Sequence, residues 1–265
     1  GAPQLGEDAL PNTLWTKSDA VAVGALFDKV ARPFPSPAAN RLARAALLSP
    51  GSAPIGSEAA AREAARKRFA ALGRLGAANE IALMVSASPA AASDPSIGMF
   101  AAQAELARGR NPDACRRGQA FTPPAGVTTA ARELFLLRLR AFCYAAAGDG
   151  PAADIASDVA RNAGVNDPWL FSALPTLASP DAKTKPAAKY DTSLNAAVSL
   201  AGGFKQAAAK PLAGSSLLAV SAVARSETAA PAIRVEAAVT ALHASALEPA
   251  AARAALAAGA ALKPT

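Results

Sequence analysis

Apolar residues recur at helical spacing between residues 128 and 147, and arginines are left on the flanks. The steps between successive apolar positions are four, three and four, which places these positions on one face of an α-helix. Gly148 follows directly and can adopt the positive φ that ends such a helix. The pattern therefore predicts a helix over 128–147 with one buried face, formed by Phe135, Leu139, Phe142 and Ala146.

A second helix is predicted immediately after this turn. Asp149 is placed to cap its N-terminus, and Pro151 lies in the first turn, where a missing N–H costs no hydrogen bond. Gly164 marks its end. The two helices are therefore expected to form an antiparallel hairpin, and the buried face of the second consists of Ala152, Ile155, Ala156, Val159 and Ala160 in this interpretation.

Several predicted helices share one start signal, a capping residue followed by proline. The side chain at the cap accepts a backbone N–H, and proline fits the first helical position because its φ is already helical. Each occurrence predicts a new helix, and the occurrences are Ser36-Pro37, Asp94-Pro95, Asn111-Pro112 and Asp167-Pro168.

The hairpin pattern recurs upstream in the chain. An aromatic residue, a turn glycine and a small residue follow one another at the same spacing in two places, and Gly109 marks a degenerate copy between them. The three turn glycines are 36 and 39 residues apart, the length of one helical hairpin plus a connection. Such repetition predicts stacked helical hairpins. The two clear copies are Phe69-x3-Gly73-x3-Ala77 and Tyr144-x3-Gly148-x3-Ala152.

This pattern resembles the tetratricopeptide-like repeats, in which an aromatic-small-x2-Gly run closes the first helix and spaced alanines line the second. The resemblance covers residues 57–176, lacks the Trp-Leu-Gly opening and has a longer period than the family. It implies an α-solenoid of antiparallel hairpins that serves as a scaffold for protein interaction. The residues that stand in the family's places are Phe69, Gly73 and Ala77, and Tyr144, Gly148, Ala152 and Ala160.

Composition supports an all-α fold. Alanine, the best helix former, accounts for 76 of the 265 residues, whereas aromatic residues make up only 5%. Helices that pack closely through small residues are therefore expected in place of a core of large side chains. The polar segment 178–190 is predicted to be a linker or loop between an N-terminal helical-repeat region (1–177) and a C-terminal helical region (191–265), which allows two subdomains.

Charge leaves two interpretations open. The formal net charge of +7 fits an anionic partner, such as nucleic acid or an acidic polymer, and fits equally an arginine-rich proteome with no anionic ligand. Arginines and one lysine cluster on two successive hairpins and would form a basic stripe if the hairpins stack. The members of this basic stripe are Arg62, Arg66, Lys67, Arg68, Arg74, Arg108, Arg110, Arg116 and Arg117.

Cys115 and Cys143 are the only cysteines, and they lie on helices expected to be neighbours. One interpretation is a disulfide, which indicates an oxidising compartment and a periplasmic or other extracytoplasmic location. The alternative is two buried free thiols and a cytoplasmic protein. His243 is the only histidine and lies a hundred residues away, so the sequence does not favour a metal site.

Candidate catalytic chemistry is sparse. His243 has no acid or nucleophile near it in sequence, and no glycine-rich segment matches a phosphate-binding or dinucleotide-binding fingerprint. Glu105, Asp113 and Glu133 lie on helices expected to be neighbours, but acids on helices usually face solvent or pair with arginine. The sequence therefore predicts no enzyme, no cofactor and no small-molecule substrate. No apolar run is long enough to span a membrane.

The first functional hypothesis is a non-enzymatic helical-repeat scaffold that binds another protein in the bacterial cell envelope. The second is a binder of nucleic acid or acidic polymer through the basic stripe, and the third is the non-catalytic helical part of a larger cell-wall enzyme. The predicted contact residues are Trp15, Arg62, Arg66, Arg68, Arg116, Arg117, Trp169 and Phe171.

Overall fold

The computed structural model describes residues 10–11, 13–49, 53–88, 94–120, 131–179, 182 and 184–260. In these ranges the chain forms 13 α-helices and no β-strand, which confirms the all-α prediction. The helices are α1 Ala20–Asp28, α2 Pro37–Leu48, α3 Glu58–Arg74, α4 Ala78–Ala87, α5 Pro95–Ala107, α6 Asn111–Ala120, α7 Ala131–Ala146, α8 Gly150–Asn162, α9 Pro168–Ala178, α10 Ser193–Ala201, α11 Leu217–Arg225, α12 Pro231–His243 and α13 Pro249–Ala260.

The predicted start signals act as helix caps. The carboxylates of Asp94, Asp149 and Asp167 each accept a backbone N–H at the N-terminus of α5, α8 and α9, and Ser36 does the same for α2. A side chain in this position satisfies one of the N–H groups that the first helical turn leaves unpaired. Helix α6 begins at Asn111, as its Asn-Pro pair predicts. The first three residues of the predicted helix 128–147 lie outside the described ranges.

The turn of the first hairpin differs from its prediction. Gly73 does not end α3, because the helix continues to Arg74 and the positive φ of 66° falls on Gly76. Gly109 and Gly148 do adopt positive φ, at 73° and 77°. Gly73 stays helical, and Phe100 and Leu218 lie 3.8 Å from the position that its Cβ would occupy, an ordinary van der Waals distance. The turn of this hairpin therefore falls on Gly76, the next glycine in the chain.

The buried face of α8 also differs from its prediction. Ile155 and Val159 point outward, and the side chain of Ile155 is 68% exposed. Small residues let α8 approach α7 closely, which large side chains on the same face would prevent. The face that packs consists of Ala153, Ala156, Ser157 and Ala160.

Helix α5 lies at the centre of the described structure. It packs against α3, α4, α6 and α7, its neighbours in the chain, and also against α10 and α11 from the C-terminal region. Most of its residues are buried, and small side chains dominate, which allows helices to approach from several sides. The buried residues are Ser96, Ile97, Gly98, Ala101, Ala102, Ala104, Glu105, Leu106 and Ala107.

The segment before α10 has no regular secondary structure in its described part, and it is held in place by polar contacts. Lys185 Nζ donates to the carbonyl of Gly202 at 3.0 Å, and Ser199 Oγ both donates to and accepts from the backbone of Lys189. Tyr190 is buried at the end of this segment. The helices that follow share buried clusters with the N-terminal helices, through Leu194 beside α7 and Leu218 beside α3.

Two ion pairs, one from each half of the chain, lie close to Gly76. Arg44 Nη1 of α2 lies 2.9 Å from Glu80 Oε1 of α4, and the Arg44 guanidinium also donates to the carbonyl of Leu75. Arg225 of α11 pairs with Glu248 at the start of α13. Burial lowers the pKa of both arginines, and the neighbouring glutamates offset part of that effect. Both ion pairs line one pocket together with Gly76, and Asn79 of α4 donates there to the Glu248 carboxylate, which links the N-terminal hairpins to the C-terminal helices.

Candidate binding groove

An open groove of about 400 Å³ lies between α3, α5 and α7. These are the first helices of three successive hairpins, and α5 packs against both of the others. The groove has an apolar floor and a charged rim. Its lining residues are Glu63, Arg66, Lys67, Ala70, Ser96, Met99, Phe100, Gln103, Phe135 and Arg138.

Helical periodicity explains which side chains reach the groove. The lining positions of α3 and of α5 both follow the spacing i, i+3, i+4, i+7, and α7 adds two positions three residues apart. Sequence analysis did not single out the floor residues Met99, Phe100 and Gln103. The matching spacing on α3 and α5 was present in the sequence, but nothing there showed that the two faces meet.

Arg66 is the best-paired cation on the rim. Its Nε and Nη2 donate to Asp94 Oδ2 at 3.2 and 2.9 Å, and Nη1 lies 3.5 Å from a carboxylate oxygen of Glu63. Donation of these hydrogen bonds to the Asp94 carboxylate raises the pKa of Arg66. Burial raises the pKa of Asp94, but Arg66 and the backbone N–H of Ser96 lower it more, so the carboxylate remains ionised. Asp94 thus caps α5 and fixes Arg66 at the same time.

The other two rim cations differ in how firmly they are held. Lys67 Nζ lies 2.7 Å from Asp28 Oδ2, and this hydrogen bond raises the lysine pKa. Arg138 makes one contact from Nη1 to Asp167 Oδ2 at 3.5 Å. Its Nε is buried and has no hydrogen-bond partner among the described residues. Of the three rim cations, Arg138 therefore has the longest carboxylate contact among the described residues, and its terminal nitrogens, on a partly exposed side chain, are the donors available to a ligand.

Two of the predicted contact residues are half-buried at the N-terminal end and hydrogen-bond to backbone carbonyls of the fold. Trp15 donates from Nε1 to the carbonyl of Ala46 at 3.2 Å and meets Phe27 edge-on, with ring centroids 5.4 Å apart. Arg68 donates to the carbonyls of Leu47 and Ser49 at the end of α2. Burial lowers the pKa of Arg68 to about 10, which still leaves it charged at neutral pH.

Replacing Arg68 by methionine is expected to lower the free energy of unfolding by about 1–3 kcal/mol, because two buried carbonyls lose a charged donor. The matched control is Arg62→Met on the same helix. Arg62 is exposed and pairs with Glu58 at 3.6 Å, so its loss is expected to cost at most about 0.5 kcal/mol. Urea unfolding of both variants measures the difference. Equal midpoints for the two variants would contradict a structural role for Arg68.

The aromatic residues of α9 are half-buried. Trp169 Nε1 donates to the carbonyl of Ala187 at 2.9 Å and meets Phe204 edge-on at 6.4 Å. The guanidinium of Arg161 lies 4.2 Å from the ring centroid of Phe171. Trp169 thus helps to hold the segment that precedes α10. One face of the Phe171 ring is covered by the Arg161 guanidinium.

The predicted basic stripe is only partly assembled. Arg66 is the one predicted contact residue among the described residues that line the groove. Arg116 is exposed beside Asp113, and Arg117 is half-buried on the same helix. Other stripe members serve the fold: Arg74 donates to the carbonyls of Phe27 and Val30, and Arg108 pairs with Glu105.

Cys115 of α6 and Cys143 of α7 lie at disulfide distance, with their Cα atoms 5.5 Å apart. The structure thus confirms that neighbouring helices bring the pair together. In the described ranges no three His, Cys, Asp or Glu side chains form a group that would hold a metal ion. Among the helices described, none combines the length and the apolar character that crossing a membrane requires.

Comparison of the chain with protein-family models, with curated proteins and with solved structures gives no match. The resemblance to tetratricopeptide-like repeats therefore stays a prediction.

Proposed function

We propose that this chain is a non-enzymatic, tetratricopeptide-like helical scaffold that binds another protein through the groove between α3, α5 and α7. The observation that carries the proposal is that the first helices of three successive hairpins line one open groove. In stacked helical repeats, equivalent helices of neighbouring units line a continuous surface, and such surfaces are used for binding.

The packing of the second helices supports the same arrangement. Helix α4 packs against both α3 and α5, and α6 packs against both α5 and α7, as expected for hairpins stacked in one direction. The groove itself combines an apolar floor with a charged rim, which is the general composition of protein interfaces. Met99 on the floor adds a flexible, polarisable side chain that adapts to different partner surfaces.

The cysteine pair supports a location in the bacterial cell envelope as part of this proposal. Disulfides persist in oxidising compartments such as the periplasm and are rare in the cytosol. Cys143 is buried and Cys115 is half-buried, so the pair joins two helices within the fold. The partner in this proposal is therefore another envelope protein.

The groove is tested by comparing immobilised full-length chains as baits for envelope extract. Met99→Asp places a charge on the groove floor, and Leu83→Asp is the matched control, because Leu83 is exposed on α4 and does not line the groove. We expect wild type and Leu83→Asp to retain the same proteins, and Met99→Asp to retain them roughly tenfold less. Circular dichroism of all three baits confirms that they are folded.

Retention of the same proteins by Met99→Asp and wild type would contradict the groove as the binding site. Binding that falls steeply between low and moderate salt and is shared with nucleic acid would favour the electrostatic alternative.

A further inference from the structure

The groove continues into a region that the chain covers with its own helix. Helix α11 packs against α3 and α5, and its Leu218 belongs to the same buried cluster as Leu72 and Ala104. At Gly73, Leu218 Cδ1 and Phe100 Cδ1 both lie 3.8 Å from the position of a Cβ atom. Because Phe100 also lines the groove, the open groove and the site of α11 are contiguous.

The face of α5 that forms the groove floor extends along the helix into this covered region. Ser96, Met99, Phe100 and Gln103 continue at helical spacing to Ala107, which lies in the buried cluster with Leu218. One end of this surface is therefore filled by a helix, and the other end is open. A surface that already accommodates α11 across α3 and α5 has the shape to accept a second helix beside it.

The charges on the groove rim indicate which side chains a second helix would carry. Arg66 and Lys67 each have a carboxylate within 2.9 Å, whereas Arg138 has, among the described residues, one longer contact, from Nη1 to Asp167 at 3.5 Å. A guanidinium with free donors is best satisfied by a carboxylate, which accepts two of its N–H groups. An acidic side chain above Arg138 would therefore complement the groove.

We propose that the open part of the groove accepts an amphipathic α-helix of the partner protein, with its apolar stripe over Met99 and Phe100 and a carboxylate on Arg138. This inference rests on the proposed function and specifies the class of partner. In helix-in-groove recognition the bound helix places apolar anchors at i, i+3, i+4 and i+7 into an apolar groove, and Met99 and Phe100 provide the apolar floor here.

The test uses the full-length disulfide-bonded chain and two displayed peptide libraries of about 20 residues, long enough for helix formation. The first library keeps apolar residues at helical spacing and randomises all other positions. The second has the same composition but carries prolines that prevent a helix. We expect binders only from the helical library, with Asp or Glu enriched at one fixed distance from the apolar stripe.

Selected peptides are then measured against three variants. Arg138→Gln is expected to weaken binding roughly tenfold or more, because a charge-assisted hydrogen bond is lost. Arg138→Lys keeps the charge but not the planar guanidinium, so it is expected to restore part of the affinity. Arg116→Gln removes an exposed arginine outside the groove and is expected to leave affinity unchanged.

Three outcomes would overturn the inference: binders from the proline library alone, helical binders that Arg138→Gln does not affect, and no binders from either library. A single-stranded oligonucleotide that binds the groove and displaces the peptides would also overturn it. If Met99→Asp abolishes protein capture while helical peptides fail to bind, only the helical class of partner is wrong. If capture survives Met99→Asp, the proposed function fails at this groove.

Discussion

Replacing both Cys115 and Cys143 by alanine is expected to lower the free energy of unfolding by about 3–4 kcal/mol. The two cysteines are 28 residues apart in sequence, and a cross-link over that distance restricts the unfolded chain considerably. The pair also ties α6 to α7, and Cys143 lies in the largest buried cluster, beside Phe142 and Leu139. A loss of this size is a large part of the total stability of an ordinary domain.

Urea unfolding of the oxidised chain, the reduced chain and the double alanine variant measures the effect. We expect the reduced chain and the variant to unfold at similar, lower urea concentrations, and reductant to have no further effect on the variant. Intact mass after alkylation of the denatured protein reports the bond directly. Alkylation of both thiols without reductant, or equal unfolding midpoints for oxidised and reduced protein, would contradict a stabilising disulfide.

Local sequence signals predicted the parts of the fold that are determined within a few residues. Asp149 caps α8 and Gly148 adopts positive φ because a helix end leaves backbone groups unpaired whatever surrounds it. The α7–α8 hairpin follows from these two residues and from the apolar face of α7. The all-α fold class was predictable from the high alanine content of the chain.

Positions determined by distant contacts were not predictable in this way. Gly73 and Gly76 both follow Phe69 at distances that suit a turn, and only Gly76 is closely approached by the C-terminal region, through Ala246 and Leu217. The central position of α5 depends on α10 and α11, which lie about a hundred residues further along the chain. A repeat pattern describes contacts between neighbouring units and gives no information on such contacts.

The arginines of α3 illustrate the same limit at the candidate site. Arg62, Arg66 and Arg68 belong to one cluster in the sequence, yet the structure places one in solvent, one at the groove and one, half-buried, against the end of α2. Arg68 turns inward because the carbonyls at the end of α2 need donors. A cluster of like charges predicts an exposed helix face. The actual position of each side chain depends on which partner group lies within its reach.

Gly76→Ala is expected to lower the free energy of unfolding by about 3 kcal/mol or more, because two effects combine. The residue has a φ of 66°, which costs about 1–2 kcal/mol for a residue with a Cβ. The added Cβ would also lie 2.7 Å from the Cβ atoms of both Ala246 and Leu217, so the backbone on one side must move. Moving Ala246 would disturb Ser245, which already has a φ of 57°.

Gly148→Ala is the matched control for this prediction. Gly148 has a similar φ of 77°, but apart from its chain neighbours no atom of the described residues lies within 4 Å of the position of its Cβ, so only the backbone cost applies. We therefore expect Gly148→Ala to cost about 1–2 kcal/mol, and the difference between the two variants to report the close approach at Gly76. Thermal and urea unfolding of both variants provide the measurement. Because Gly76 contacts α11 and the segment before α13, amide hydrogen exchange in Gly76→Ala is expected to increase first in α11–α13. Equal losses in the two variants would mean that the C-terminal helices do not depend on this contact.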